Sequence, residues 1–300
     1  MGTIFNIYNH KNDYELVNEF LYHTYKKEKY PNWLQPRWEY FHYHPNTEEE
    51  CYKTIGVWKE NGEIVGLATH EGNLGEVFIM VDETHGYLKK EMIQFAEANI
   101  SKKSEDNKKS LYVYVNDFDK DLENIVIEKG YQKIEYKETI CQFTDDIKDD
   151  ELQVPTGFTL KNLSGKSDIF KFHRIMWRGF NHEGEAPIEG IVWREKMQSA
   201  PKYNFTLNVV LESPEGNYIA YSGIWFDSIN KVGYIEPVCI DPDYRKKGFG
   251  RIVVLECIRR AQKLGANVVY VESGLPFYQA IGFKPIFKRN VWKRVWNENN

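Results

Sequence analysis

The order of elements implied by this sequence occurs twice. Residues 54–71 (TIGVWKENGEIVGLATHE) read as two strands joined at Asn61-Gly62, a dipeptide that supplies the positive φ angles of a two-residue hairpin turn. A strand at 75–83 (GEVFIMVDE), an amphipathic helix at 88–100, a strand at 110–115 (SLYVYV) and a short helix at 121–131 follow. Residues 207–226 open the series again, as two strands about Pro214-Glu215-Gly216. A strand at 231–240, a helix at 250–265, a strand at 267–273 and a helix at 276–283 complete it. Each series is preceded by a helical stretch, near 13–25 and near 167–178. Matching order with matching turns points to a duplicated α/β unit. Two unrelated units that share a hairpin-then-βα order are the alternative, since that order is common.

The segment 144–157 (TDDIKDDELQVPTG) is acidic, then turn-forming, and lacks apolar periodicity, as a linker or exposed crossover would. It divides the chain into expected domains at 1–147 and 148–300, and 300 residues suit two domains of ordinary size. A net charge of -5 offers no general basic field for nucleic acid. Cys51, Cys141, Cys239 and Cys257 are far apart without metal-ligand spacing, which fits reduced thiols in a reducing compartment. No signal pattern opens the sequence and no apolar run is long enough to cross a membrane. A cytoplasmic protein with no membrane or nucleic-acid partner is expected. Oligomeric state is not legible.

One stretch departs from what a buried helix needs. In DPDYRKKGFGRIVVLE (241–256), Arg245, Lys246 and Lys247 stand before Gly248 and Gly250, between the apolar strand ending at Cys239 and Ile240 and a helix with Ile252, Leu255 and Ile258 on one side. Gly265 marks its stop. A helix N-terminus presents unpaired N–H groups and partial positive charge, and glycines let the backbone approach an anion. The pattern is not a Walker loop, because Gly250 is followed by Arg251 and Ile252, and it lacks the third glycine of a dinucleotide fingerprint. A basic solvated turn with glycines acting only as caps is the plain alternative.

The stretch resembles the acetyl-CoA loop of the GNAT N-acetyltransferases, with Arg245, Gly248 and Gly250 at the pattern positions, and FYQAIGFKPI (277–286) resembles the family's later helix. The likeness is strong over roughly 205–290, weaker over 157–204, and the chain as a whole resembles tandem-GNAT proteins with a degenerate first copy. It implies an α/β fold of two tandem domains, each a mixed, mostly antiparallel sheet flanked by helices. It further implies acetyl-CoA as cosubstrate and a small-molecule or peptide amine as acceptor. Val238, Cys239 and Ile240 would pair with the pantetheine arm, and one of their amides would support the developing oxyanion. Arg245, Lys246, Lys247, Gly248, Phe249, Gly250 and Arg251 would hold the pyrophosphate. Tyr278 occupies the family's tyrosine position and could protonate the departing thiolate, being a phenol of pKa about 10 beside a thiol of about 8.5. A core aromatic whose hydroxyl is capped by backbone is its plain alternative. Glu236 is the first candidate for general base, with His182, Glu183 and Glu185 as further candidates and ordinary surface or strand charges as the alternative. A CoA-binding regulatory or interaction module without catalysis is the competing function.

The first copy lacks these features. VDETHGYLKK (81–90) has one glycine and carries Asp82 and Glu83 where phosphate would need cations, and Ile125 or Val126 stands where the tyrosine would be. Cys239 sits in an apolar strand and reads as core rather than nucleophile. His42 and His44 have the spacing of one strand face but lack the third ligand a zinc site needs. The aromatic run from Tyr22 to Tyr43 either covers core, the preferred reading, or walls an acceptor pocket with Trp33, Trp38 or Tyr40.

Overall fold

The computed structural model describes residues 2–26, 30–148 and 152–297. In chain order the elements are β1 (Ile4–Ile7), α1 (His10–Thr24), α2 (Gln35–Tyr43), α3 (Glu49–Tyr52), β2 (Gly56–Glu60), β3 (Glu63–Thr69) and β4 (Glu76–Val81). Then follow α4 (Lys89–Asn99), β5 (Lys102–Lys103), β6 (Lys108–Asn116), α5 (Lys120–Glu128), β7 (Gln132–Phe143), β8 (Thr159–Asn162), α6 (Ile169–Gly179) and α7 (Ile191–Gln198). The chain ends with β9 (Asn208–Glu212), β10 (Tyr218–Asp227), β11 (Val232–Ile240), α8 (Phe249–Lys263), β12 (Val268–Val271), α9 (Pro276–Ala280) and β13 (Lys284–Asn297).

The chain forms two compact units, one of residues 1–41, 46–140 and 286–300, the other of 42–45 and 141–285. In the first, β1–β2, β2–β3 and β3–β4 are antiparallel and β4–β6 is parallel. In the second, β8–β9, β9–β10 and β10–β11 are antiparallel and β11–β12 is parallel. The two units therefore share one internal pattern, as the repeated order of elements predicts. The hairpin turns are where the sequence puts them. Asn61 (φ 52°) and Gly62 (φ 91°) both lie in the left-handed region between paired Glu60 and Glu63, the requirement of a two-residue primed turn.

The units differ from the division expected at residue 147. The last strand, β13, joins the first unit, where it pairs antiparallel with β6 from Arg289↔Asn116 to Asn297↔Lys108. The end of β7 belongs to the second unit, where Cys141 and Phe143 pair with Val271 and Val269 of β12. Neither strand has the strict alternation that marks a half-buried strand, and strand pairing between distant segments leaves no local pattern. Residues 144–148 and 152–157 are largely without regular structure, and the remainder of the proposed linker lies outside the described residues.

Arg289 of β13 is fully buried in the first unit. Its guanidinium donates to Asn32 Oδ1 at 2.9 Å and Asn32 O at 3.0 Å, pairs with Glu138, and lies 5.4 Å from the centre of the Phe78 ring. A second correction concerns His42 and His44: His42 lies in the helix α2, so the strand-face spacing of the pair does not hold. Among the described residues no group of three metal-ligand side chains occurs. Tyr22, Tyr30, Trp33, Trp38 and Phe41 are buried core, as the preferred reading of the aromatic run had it.

Candidate active site

The second unit provides an opening between its two parallel strands. β11 and β12 pair only over Val232↔Val268, Gly233↔Val269 and Tyr234↔Tyr270, after which β12 ends and β11 runs on to Ile240. On the other side β11 stays paired with β10, with Val238, Cys239 and Ile240 opposite Ser222, Tyr221 and Ala220. One edge of β11 is therefore left without a neighbouring strand over the residues before the glycine turn. The end of a parallel pair, at the start of a helix, is where α/β folds accept ligands.

A bulge shapes the same strand. Between the pairs Ser222↔Val238 and Ile224↔Ile235, β10 has Gly223 alone while β11 has both Glu236 and Pro237. Gly223 allows close approach here, since a Cβ would lie 2.9 Å from Asn208 Oδ1 and 3.0 Å from Glu236 O. Glu236 is half-buried, and its backbone carbonyl accepts from Trp225 Nε1 at 3.0 Å.

The turn after β11 has the features of an anion cradle. Gly248 is the left-handed N-cap of α8 (φ 82°), and nothing lies within 4 Å of where its Cβ would be. A Cβ on Gly250 would meet the Phe277 ring at 3.2 Å and Ile240 Cδ1 at 3.3 Å. The first turn of α8 aims its N–H groups out of the helix end, and no acidic residue stands in it. A bound pyrophosphate fits this arrangement: open space at Gly248, amides at a helix start and the exposed Lys246 beside them.

The basic residues are not equivalent. Arg245, expected to attract phosphate, donates to Gly179 O at 2.9 Å and Ile240 O at 3.2 Å, tying α6 to the end of β11. Lys247 donates to Asp243 O at 3.0 Å and sits 5.0 Å over the Tyr244 ring. The Phe249 side chain is core, against Phe158 and Tyr244, so only its backbone can serve a ligand. Cys239 points to α6, with Sγ 3.6 Å from Ile175 O, and burial pushes its thiol up to about 12. It is an inert core thiol, and only its backbone can serve the open edge.

Tyr278, on α9, is nearly buried at 9% exposure and packs edge-on against Phe277 and Phe283. Its hydroxyl makes no hydrogen bond among the described residues, so the backbone-capped alternative does not apply. Burial and then the negative charge of Glu236 raise its pKa, keeping the phenol protonated. Glu236 and Tyr278 are thus brought within electrostatic reach, while Phe277 abuts the Gly250 turn. His182, Glu183 and Glu185 lie exposed on the loop after α6, and His182 stacks on Trp177 at 4.4 Å between ring centres.

Sequence reasoning missed the support beneath the cradle. Arg178 donates to both oxygens of buried Asp241, at 2.6 and 2.9 Å, and to Asp243 at 2.7 Å. Asp241 in turn accepts the Asp243 amide and caps the turn entering the cradle. Burial alone would raise the Asp241 carboxyl, but the bonds from Arg178 and the Asp243 amide hold it below its ordinary value of 3.8. Gly179, next to Arg178, has no room for a side chain: a Cβ would lie 2.7 Å from Cys239 Cβ. The only local signal was a basic residue and a glycine at the end of an amphipathic helix.

A depressed folded-state pKa gives a stabilisation present above the unfolded value and lost as pH falls through the folded one. Arg178→Ala is therefore expected to cost about 2–3 kcal/mol at neutral pH. It should also move the acid unfolding transition upward, towards the ordinary Asp value. Thermal denaturation across pH 3 to 7 (about that range) checks both, and an unchanged acid transition would refute the assignment.

Residues 169–283 match the family model of the acetyltransferase (GNAT) family. The second unit thus carries a region similar to the GNAT acetyltransferases. Over 98% of both chains it shares the fold of a tandem GNAT protein from the clavulanic acid biosynthesis pathway, solved without acetyl-CoA, at TM-score 0.66 and 12% identity. A GCN5-related N-acetyltransferase from Sphaerobacter thermophilus aligns over 80% of each chain at TM-score 0.58 and 13% identity. The glucosamine 6-phosphate N-acetyltransferase of Trypanosoma brucei brucei is 36% identical over 56 residues, 18% of this chain and 38% of that protein. An uncharacterized N-acetyltransferase of Methanocaldococcus jannaschii is 25% identical over 150 residues, 46% of this chain and 66% of that protein. The matched stretches thus span less than two thirds of these curated relatives. No described helix is long and apolar enough to cross a membrane.

Proposed function

We propose that this protein is an acetyl-CoA-dependent N-acyltransferase of the GNAT type that moves an acetyl group to an amine of a small molecule or peptide by direct attack. The observation that carries the reading is the open edge of β11, which leads into the glycine turn at 248–250 and carries Glu236 within electrostatic reach of the uncapped Tyr278 hydroxyl. The amides at the start of α8 hold the pyrophosphate, and the free edge of Val238–Ile240 pairs with the peptide-like pantetheine arm. A backbone N–H of that edge supports the carbonyl oxygen of the thioester as negative charge builds on it. Glu236 accepts the proton that the attacking amine must lose, directly or through water, and Tyr278 gives its proton to the leaving thiolate. The amine nitrogen gains the acetyl carbon, the carbon–sulfur bond breaks, and free thiol is released.

The deciding experiment follows thiol release from acetyl-CoA in the presence of a panel of small amines and peptide N-termini. Amine-dependent release supports the reading. Tight acetyl-CoA binding without turnover on any amine would instead make the protein a CoA-binding regulatory module.

The cradle itself is checked by calorimetric titration with acetyl-CoA. Gly248→Val places a β-branched side chain at φ 82°, and Gly250→Val drives atoms into Phe277 and Ile240. Both should weaken binding far more than Lys246→Ala, whose exposed charge is screened by salt. Equal affinities in three variants that melt like the parent would remove the cradle.

A further inference from the structure

The first unit contains a cavity of about 510 Å³, a volume suited to a small organic ligand. It lies at the ends of the parallel strands β4 and β6, which pair from Glu76↔Tyr112 to Phe78↔Tyr114 and then run on to Val81 and Asn116. Its position in the unit corresponds to the opening beside β11 in the second. Its chemistry does not. Lys89, at the start of α4, donates to Asp119, the N-cap of α5, at 2.6 Å and links the two helix starts. Asp82 accepts the Thr84 amide at 2.9 Å, placing a carboxylate where a phosphate cradle needs a donor.

The charges lining the cavity show what it can accept. Asp82, Glu83, Asp119 and Asp121 face Lys26, Lys89 and Lys120. Every one of these ammonium groups already has a carboxylate at 2.6 Å, Lys26 with Glu83, Lys89 with Asp119 and Lys120 with Glu123. An anion would have to break one of those pairs. Two side-chain acceptors of the lining are left without a partner among the described residues. Asp121 makes no hydrogen bond or ion pair among the described residues. Asn116, only 5% exposed, donates through Nδ2 to Tyr30 O at 3.0 Å while its Oδ1 has no partner among them. Phe118 and Tyr30 add aromatic wall, a surface that attracts organic cations.

We propose that this cavity binds a small organic ammonium compound, with Asp121 and the Oδ1 of Asn116 as acceptors for its N–H groups. The degenerate copy is on this reading a ligand-binding unit whose cofactor position has been rebuilt for a cation, and it stands independently of the reaction assigned to the second unit.

The test is calorimetric titration of the full chain with 2-phenylethylammonium, using 2-phenylethanol and phenylacetate as neutral and anionic near-isosteres. The ammonium is expected to bind about tenfold or more tightly than either control. Asp121→Asn, an exposed isosteric change, should weaken the ammonium about tenfold and leave 2-phenylethanol unaffected. Asn116→Leu should also weaken it, and the Asp121 variant keeps the test valid if this buried change disturbs folding. Phenylacetate binding as tightly, ammonium affinity unchanged in Asp121→Asn, or no binding of the ammonium up to about 10 mM would each overturn the proposal.

Discussion

Tyr278→Phe is expected to lower kcat by about 10²–10⁴-fold while acetyl-CoA affinity changes little. The substitution keeps the ring that packs on Phe277 and Phe283 and removes only the hydroxyl. That hydroxyl has no hydrogen-bond partner among the described residues, so its loss should cost little stability, and a fall in kcat can be read as chemistry. The pH dependence gives a second readout. Burial and Glu236 raise the Tyr278 pKa, so the parent should show no loss of the acid form in the alkaline range where an ordinary tyrosine, near 10, begins to ionise. In Glu236→Gln the charge is gone and the alkaline limb should move down in pH, together with a slower rate from loss of the base. Steady-state rates under conditions where chemistry limits turnover decide the matter. A Phe variant with unchanged kcat would assign thiolate protonation to water or another group.

The second large effect concerns stability. Arg289→Ala is expected to destabilise the first unit by about 3–5 kcal/mol, because it leaves Glu138 without its buried partner and Asn32 without its donor. The same pairing of β13 with β6 predicts that the chain cannot be divided at residue 147. A 1–147 fragment lacks residues 286–297 and with them Arg289, while a 148–300 fragment lacks the Cys141–Phe143 segment that pairs with β12. Each fragment would expose an unpaired strand edge, which favours aggregation. Chemical denaturation of the Arg289 variant, and solubility with far-ultraviolet circular dichroism of the fragments, test this directly. A soluble, fully active 148–300 fragment would show that the exchanged strands do not matter to the second unit.

What the sequence determined by itself was local. Asn61-Gly62 and Gly216 set hairpin turns because the backbone there must take positive φ, and few residues do so without strain. Gly248 and Gly265 framed α8 for the same reason, and the apolar strand around Cys239 announced its burial. The resemblance to GNAT proteins drew on these short motifs, so the Gly turn and Tyr278 stood as candidates on the sequence alone. Tertiary structure decided the rest. Which unit receives β13 depends on pairing between residues far apart in the chain, which no periodicity records. The spacing of His42 and His44 suited a strand face, yet His42 lies in the helix of residues 35–43. Arg245 carried the right charge for phosphate, yet its guanidinium reaches the carbonyls of Gly179 and Ile240 because those oxygens lie beside it in space. The ion pair of Lys89 with Asp119, which sets the first unit's cavity apart from the cradle of the second, joins residues thirty positions apart. Backbone conformation is a property of a few neighbouring residues, and sequence can state it; partner choice is a property of the fold.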